Sequence, residues 1–134
     1  MEDVIDLSVY NDDLYLLHAD GHITICTYSG LAESPTRCDD PYPYSDNRPG
    51  RVHGPVIEDT VFSQIYFSSF PERSIYLLDS NNQALYYFSV LLNLQWQYQT
   101  KNSMTDGKAT AFAISPNRTA FLAIDNYVYY AAMP

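Results

Sequence analysis

The stretch IYLLDSNNQALYYFSV, Ile75–Val90, decides the fold, because the same chain contains two close counterparts of it. LYLLHADGHITICTYS, Leu14–Ser29, aligns with it position by position, and AFLAIDNYVYYAAM, Ala120–Met133, aligns with one deletion. Self-similarity of this kind marks a repeat architecture and takes precedence over any single element. In each copy a β-rich apolar run leads through a polar pair into a second such run. The pairs are Asp20-Gly21, Asn81-Asn82 and Asp125-Asn126, residue types that tolerate the positive φ of a two-residue hairpin loop. Each copy is therefore predicted to be a hairpin with a two-residue turn.

Ahead of every hairpin lies a further β-rich run: Val4 to Tyr10, Val61 to Phe70, and Ala109 to Ser115. Asn11-Asp12-Asp13, Pro71 to Ser74 and Pro116-Asn117-Arg118 connect these runs to the hairpins with turn chemistry. Behind the second hairpin, Leu94 to Thr100 alternates apolar and polar residues, which predicts a fourth strand. The unit is a four-stranded meander. Its copies start 61 and 45 residues apart, giving a period near 45 with one insertion, and no segment shows sustained helical periodicity.

A period near 45 with four antiparallel strands per unit is the footprint of a β-propeller blade. Ile114 to Ile124, ISPNRTAFLAI, resembles the strand, Ser-Pro-Asx turn and strand of WD40, TolB-like and related propeller repeats. The chain lacks the Gly-His and Trp-Asp signatures of WD40 repeats, so the resemblance extends to the architecture and stops short of that family. It implies an all-β chain of about three four-stranded antiparallel blades: blade 1 about 3–40, a long loop 41–60, blade 2 about 61–101 and a partial blade 3 about 109–134. Three blades do not close a ring, since propellers have four to eight. The expectation is an incomplete or half propeller. A homo-oligomer completes it as a two-fold, six-bladed ring, or the remaining blades come from the parent protein. A self-contained sandwich of ten or eleven strands is the alternative.

Between the first and second units, by analogy with the second, an outer strand should begin near Ser34 or Pro35. A hairpin centred on Ala32 pairs position i with 64 − i and sets Cys26 opposite Cys38, within reach of a disulfide. Two readings stand: a disulfide pinning the outer strand in an oxidising, extracellular compartment, or two reduced cysteines with Cys26 buried in the sheet. In the connection that follows, Tyr42, Tyr44, Arg48, Arg51 and His53 combine amphipathic aromatics with donors, as partner- or ligand-binding surfaces do. The alternative is a proline-rich flap whose Tyr42 and Tyr44 fill a groove over the first two units.

Composition removes whole classes of function. Net charge is −9, with 7 Lys and Arg against 16 Asp and Glu, so the electrostatic footprint of nucleic-acid or anionic-membrane binding is absent. No apolar run is long enough to span a bilayer, and the first residues lack a basic start and apolar stretch, so no targeting signal is read. Around a two-residue turn His18 and His22 fall on opposite faces, which predicts no metal site there. Asp12-Asp13 and Asp39-Asp40 read as turn aspartates, without the pattern of a calcium loop. Asn117-Arg118-Thr119 fits a glycosylation sequon but reads as a turn between strands. Nucleophile elbows, phosphate-binding glycine loops, HExxH and CxxC are missing from the sequence, and no catalytic residue or cofactor is assigned.

Tyr15, Tyr66, Tyr76, Tyr86 and Tyr87 alternate within strands and are expected to pack between units. The expected function is a non-enzymatic binding or scaffold module presenting one face to a protein or small-molecule ligand. Alternatives are part of a propeller hydrolase or lactonase with a central-channel site, for which the inner strands offer chiefly Asp6, Ser8, Ser63, Gln64 and Ser68, or a structural C-terminal part of a larger extracellular or sensor protein.

Overall fold

The computed structural model describes residues 3–28, 37–45, 60–69, 72–99 and 107–133. Eleven strands fall where β-branched, aromatic and aliphatic residues cluster between turn residues. They are β1 (Val4–Tyr10), β2 (Asp13–His18), β3 (Ile23–Thr27), β4 (Arg37–Tyr42), β5 (Phe62–Ser68), β6 (Ser74–Asp79), β7 (Ala84–Ser89), β8 (Leu94–Gln99), β9 (Ala109–Ile114), β10 (Thr119–Ile124) and β11 (Tyr127–Ala132). Among the described residues there is no helix. The strands form three antiparallel meanders in chain order, β1 to β4, β5 to β8 and β9 to β11, and none of the sheets is closed.

The repeat extends to the register. Leu16, Leu77 and Leu122, equivalent in the alignment, pair with Leu7, Ile65 and Phe112 of their first strands. Each first strand carries one extra residue at the same place, Ile5, Ser63 and Thr110, where the pairing shifts. Such a bulge bends a strand and re-aims the next side chain. Those next side chains are Asp6, Gln64 and Ala111. Asp6 Oδ2 accepts the backbone N–H of Ile65 (2.8 Å), and Gln64 Oε1 accepts that of Phe112 (3.3 Å). One relation thus links the first sheet to the second and the second to the third. Ser8 Oγ adds a parallel link by accepting the Phe67 N–H (2.9 Å).

The sheets stack with β1 running beside β5, and with β9 set against both β5 and β6. The middle sheet consequently buries both faces. Ile75, Leu77, Tyr86 and Phe88 pack with Tyr15, Leu17, Ile23 and Ile25 of the first sheet, while Tyr76, Leu78, Leu85 and Tyr87 pack with Phe112, Ile124 and Met133 of the third. Every residue of β6 is buried, whereas β10, covered on one side only, is mostly half-buried. Aromatic pairs cross both interfaces, Tyr10 stacked on Phe67 with centroids 4.4 Å apart and Tyr66 edge-on to Phe112. Tyr15, Tyr76, Tyr86 and Tyr87 are core residues, while Tyr66 keeps a surface exposed.

The outer faces of the stack keep exposed apolar residues, although Leu16, Thr24 and Cys26, which share the outward face of the first sheet by register, are buried. On the first sheet the alternate residues Ile5, Leu7 and Val9 are 48%, 54% and 47% exposed. On the third, Ala111, Ala113, Phe121, Val128 and Tyr130 share the face opposite the core by register, and Val128 and Tyr130 are exposed.

Two expectations about turns need correction. Asp125-Asn126 is the two-residue loop expected, with Asp125 at φ 54°. The first hairpin instead pairs Leu17 with Ile23 and turns through three residues, Ala19-Asp20-Gly21, with Gly21 at φ 91°. A three-residue loop closed by a glycine in the left-handed region is the next commonest hairpin solution. The second turns through Ser80 to Gln83, because the buried Asp79 carboxylate accepts the N–H groups of Asn81 and Asn82 (3.1 and 3.2 Å) and holds a wider loop.

Candidate functional site

The residues expected to carry binding divide into two groups. Arg48, Arg51 and His53 lie outside the described residues. Tyr42 ends β4 opposite Ile23, and Tyr44 follows two residues later. Both rings pack against the core between the first and second sheets. The Tyr44 hydroxyl donates to the Gly21 carbonyl (2.6 Å), and its ring sits against Phe88 and Phe62 with centroids 5.4 and 6.1 Å apart. Burial, reinforced by the nearby Asp20 charge, drives its phenol pKa far above the ordinary tyrosine value. Ser45 then exchanges backbone hydrogen bonds with the β7–β8 turn, accepting from Leu94 (2.8 Å) and donating to Leu92 (3.0 Å). Residues 42–45 thus form a strap across the outer edges of two sheets.

Cys26 and Cys38 are directly opposed in β3 and β4 and joined in a disulfide. Period-two alternation and the hairpin centre were sufficient to place them.

The same face of the first sheet carries a polar cluster that the sequence reading separated. His18 and His22 are not on opposite faces. Because the turn has three residues rather than two, they become a directly opposed pair, the His18 N–H donating to the His22 carbonyl (3.0 Å), and the imidazoles stack with centroids 3.8 Å apart. One residue of loop length moves a side chain to the other face. Asp39 and Asp40, read as turn residues, instead lie within β4. That strand brings Asp40 Oδ1 to 3.1 Å from His22 Nε2.

Thr24 completes the connection. Its hydroxyl donates to Asp40 Oδ1 (2.9 Å) and lies 2.8 Å from His18 Nε2. With the hydroxyl proton committed to the carboxylate, the His18 Nε2–H is the donor to Thr24. On the far side, Asp20 accepts both the His22 backbone N–H (3.1 Å) and its ring Nδ1–H (2.5 Å). These bonds, the backbone one foremost, hold the Asp20 carboxyl below its usual pKa. His18 is 3% exposed, while the side chains of His22 and Asp40 are 33% and 49% exposed.

A second recess opens where the second and third sheets diverge. It is an apolar cleft of about 380 Å³ between Leu85 and Tyr98 on one side and Leu122, Tyr129 and Met133 on the other. Its polar lining is sparse and offers no paired acid and base.

Compared with protein-family models, with curated proteins and with solved structures, the chain matches none.

Proposed function

We propose that this chain is a β-propeller segment, a non-enzymatic binding or scaffold module whose ring is completed by a second copy of itself. The observation carrying this reading is the iterated link. Asp6 reaches Ile65 and Gln64 reaches Phe112 from equivalent positions behind equivalent bulges, so the same kind of link joins the first sheet to the second and the second to the third. Continuing the series requires a fourth sheet against the third and a preceding sheet against the first. Those are the faces that keep exposed apolar residues, Ile5, Leu7 and Val9 on the first sheet and Val128 and Tyr130 on the third. A two-fold pair satisfies both at once, because each copy's first sheet meets the other's third, giving six sheets around one axis.

The inner-strand polar groups also favour a scaffold over an enzyme. Asp6, Ser8 and Gln64 are engaged in holding neighbouring sheets together, which leaves no acid–base pair on the inner strands among the described residues. The Cys26–Cys38 disulfide fits an oxidising compartment.

Light scattering over a range of concentrations tests the reading. The expected result is twice the chain mass, reduced to the chain mass by Leu7→Lys, which puts a charge on an exposed apolar face without touching the core. A monomer at every concentration overturns closure by a second copy. A dimer indifferent to Leu7→Lys places the contact elsewhere and overturns the ring.

A further inference from the structure

The geometry points to a zinc-binding site formed by His18, His22 and Asp40 on the outer part of the first sheet. One donor atom from each residue lies within 4.8 Å of the other two. In tetrahedral zinc sites, metal–nitrogen and metal–oxygen bonds of roughly 2.0 to 2.2 Å set ligand atoms about 3.3 Å apart. The 3.1 Å between His22 Nε2 and Asp40 Oδ1 already matches one such edge.

The hydrogen bonds around that edge ask for a cation. His22 meets a carboxylate at both ring nitrogens, Asp20 at Nδ1 and Asp40 at Nε2, so its contact with Asp40 is attractive with either a proton or a metal ion on Nε2. The Asp20 carboxylate on the far nitrogen is the arrangement that orients ligating histidines and raises their basicity. His18 is the buried third donor, its ring parallel to that of His22 at 3.8 Å. With its Nε2–H donated to Thr24, His18 ligates only once that proton leaves Nε2, and the parallel rings must rotate to converge on one ion while the paired backbone of β2 and β3 stays in place. Thr24 moves from bridging His18 and Asp40 to supporting the carboxylate.

Imidazole nitrogen with a single carboxylate suits zinc among the divalent ions and does not suit calcium or magnesium, which take oxygen ligands. Three protein donors leave a fourth position, which the exposure of His22 and Asp40 opens to water. The ion would tie the end of β2 and the start of β3 to β4, across the same pair of strands that Cys26–Cys38 joins. The site sits at the β2–β3 turn and on the outer strand, and Thr24 shares by register the outward face of Leu16 and Leu7; its three donors all come from one chain, so zinc binding is measured separately from ring closure.

The test is zinc titration of the full, disulfide-intact chain after chelator treatment, read by equilibrium dialysis with metal analysis. One equivalent of zinc is expected to be retained. Asp20→Asn should weaken binding about 10- to 100-fold, the range for loss of a group supporting a ligand, with a larger loss for Asp40→Asn and His22→Gln. Glu72→Gln, altering an exposed acid ahead of β6 in the second sheet, should leave affinity unchanged. Asp40→Asn and His22→Gln are near-isosteric, and retention of the disulfide and of the metal-free melting temperature shows that they fold. Failure to retain zinc, retention unaffected by Asp40→Asn and His22→Gln, or loss on Glu72→Gln overturns the assignment.

Discussion

Truncating Asp6 tests the physical basis of the stack. In Asp6→Ala two N–H groups lose their acceptor: that of Leu7, bonded to Oδ1 at 2.9 Å, and that of Ile65, bonded to Oδ2 at 2.8 Å. The Leu7 amide lies on an exposed face and is rehydrated at little cost. Ile65 is buried between sheets, so its amide keeps the full penalty of an unsatisfied donor, about 1–3 kcal/mol. With the usual per-residue unfolding entropy, a chain of 134 residues loses about 3–4 °C of melting temperature per kcal/mol, so a fall of roughly 4–11 °C is expected.

Thermal unfolding followed by near-ultraviolet circular dichroism gives the first number, and amide exchange gives the second. Exchange at Ile65 should accelerate while Phe67, held by Ser8 Oγ, stays protected. Asp6→Asn removes the charge and keeps one oxygen, so it should retain most of the stability and separate the hydrogen bond from the change in net charge. Gln64→Ala should reproduce the effect one sheet further on, at the amide of Phe112. A melting point within about 1 °C of the parent, with Ile65 exchange unchanged, would show that the link carries no energy and would refute the reasoning.

Reducing Cys26–Cys38, or replacing both residues by serine, frees a loop whose ends are 12 residues apart and should cost about 3 kcal/mol on the chain-entropy account, read as a lower denaturant midpoint. Tyr44→Phe removes only the bond to the Gly21 carbonyl and should cost about 0.5–1.5 kcal/mol. Tyr44→Ala also empties the space beside Phe62 and Phe88 and should cost about 3 kcal/mol; equal losses in the two variants would contradict the packing described. At alkaline pH the buried tyrosines dominate. Burial, with Asp13 nearby, pushes Tyr15 from 10.0 up to about 12, and Tyr76 is raised by burial as well. The unfolded chain loses these protons first, so stability is fully present below pH 10 and falls as pH rises toward the folded-state values. Tyrosinate absorbance should therefore include a cooperative component coinciding with unfolding; independent, gradual titration of every tyrosine would count against their burial.

Sequence alone made the all-β meander pattern, the approximate positions of most strands and the opposition of Cys26 to Cys38 legible, while leaving open whether those cysteines are bonded. Alternation at period two and turn residues are local properties, and the spacing of Leu14, Ile75 and Ala120 shows them recurring without any knowledge of packing. Cys26 and Cys38 followed because a hairpin register relates two positions by one number, its centre. The first turn shows where that locality ends. Asp20-Gly21 suits either a two- or a three-residue loop, and the choice is made by which register buries Leu17 and Ile23 in the core. That choice places His18 beside His22, and β4 then supplies Asp40 from 18 residues beyond the second histidine.

Asp6, Ser8 and Gln64 were legible as inner-strand polar residues. Their role as links between sheets was not, since a hydrogen bond from one sheet to the backbone of the next depends on how the sheets are stacked. The same holds for Tyr44. Its sequence context of prolines and polar residues suited a binding loop equally well, and only the groove between two stacked sheets, with Phe62 and Phe88 at its base, draws the ring inward. Short-range backbone preference writes the strands into the chain. The faces those strands present, and the partners their side chains meet, follow from burying apolar area among elements far apart in sequence.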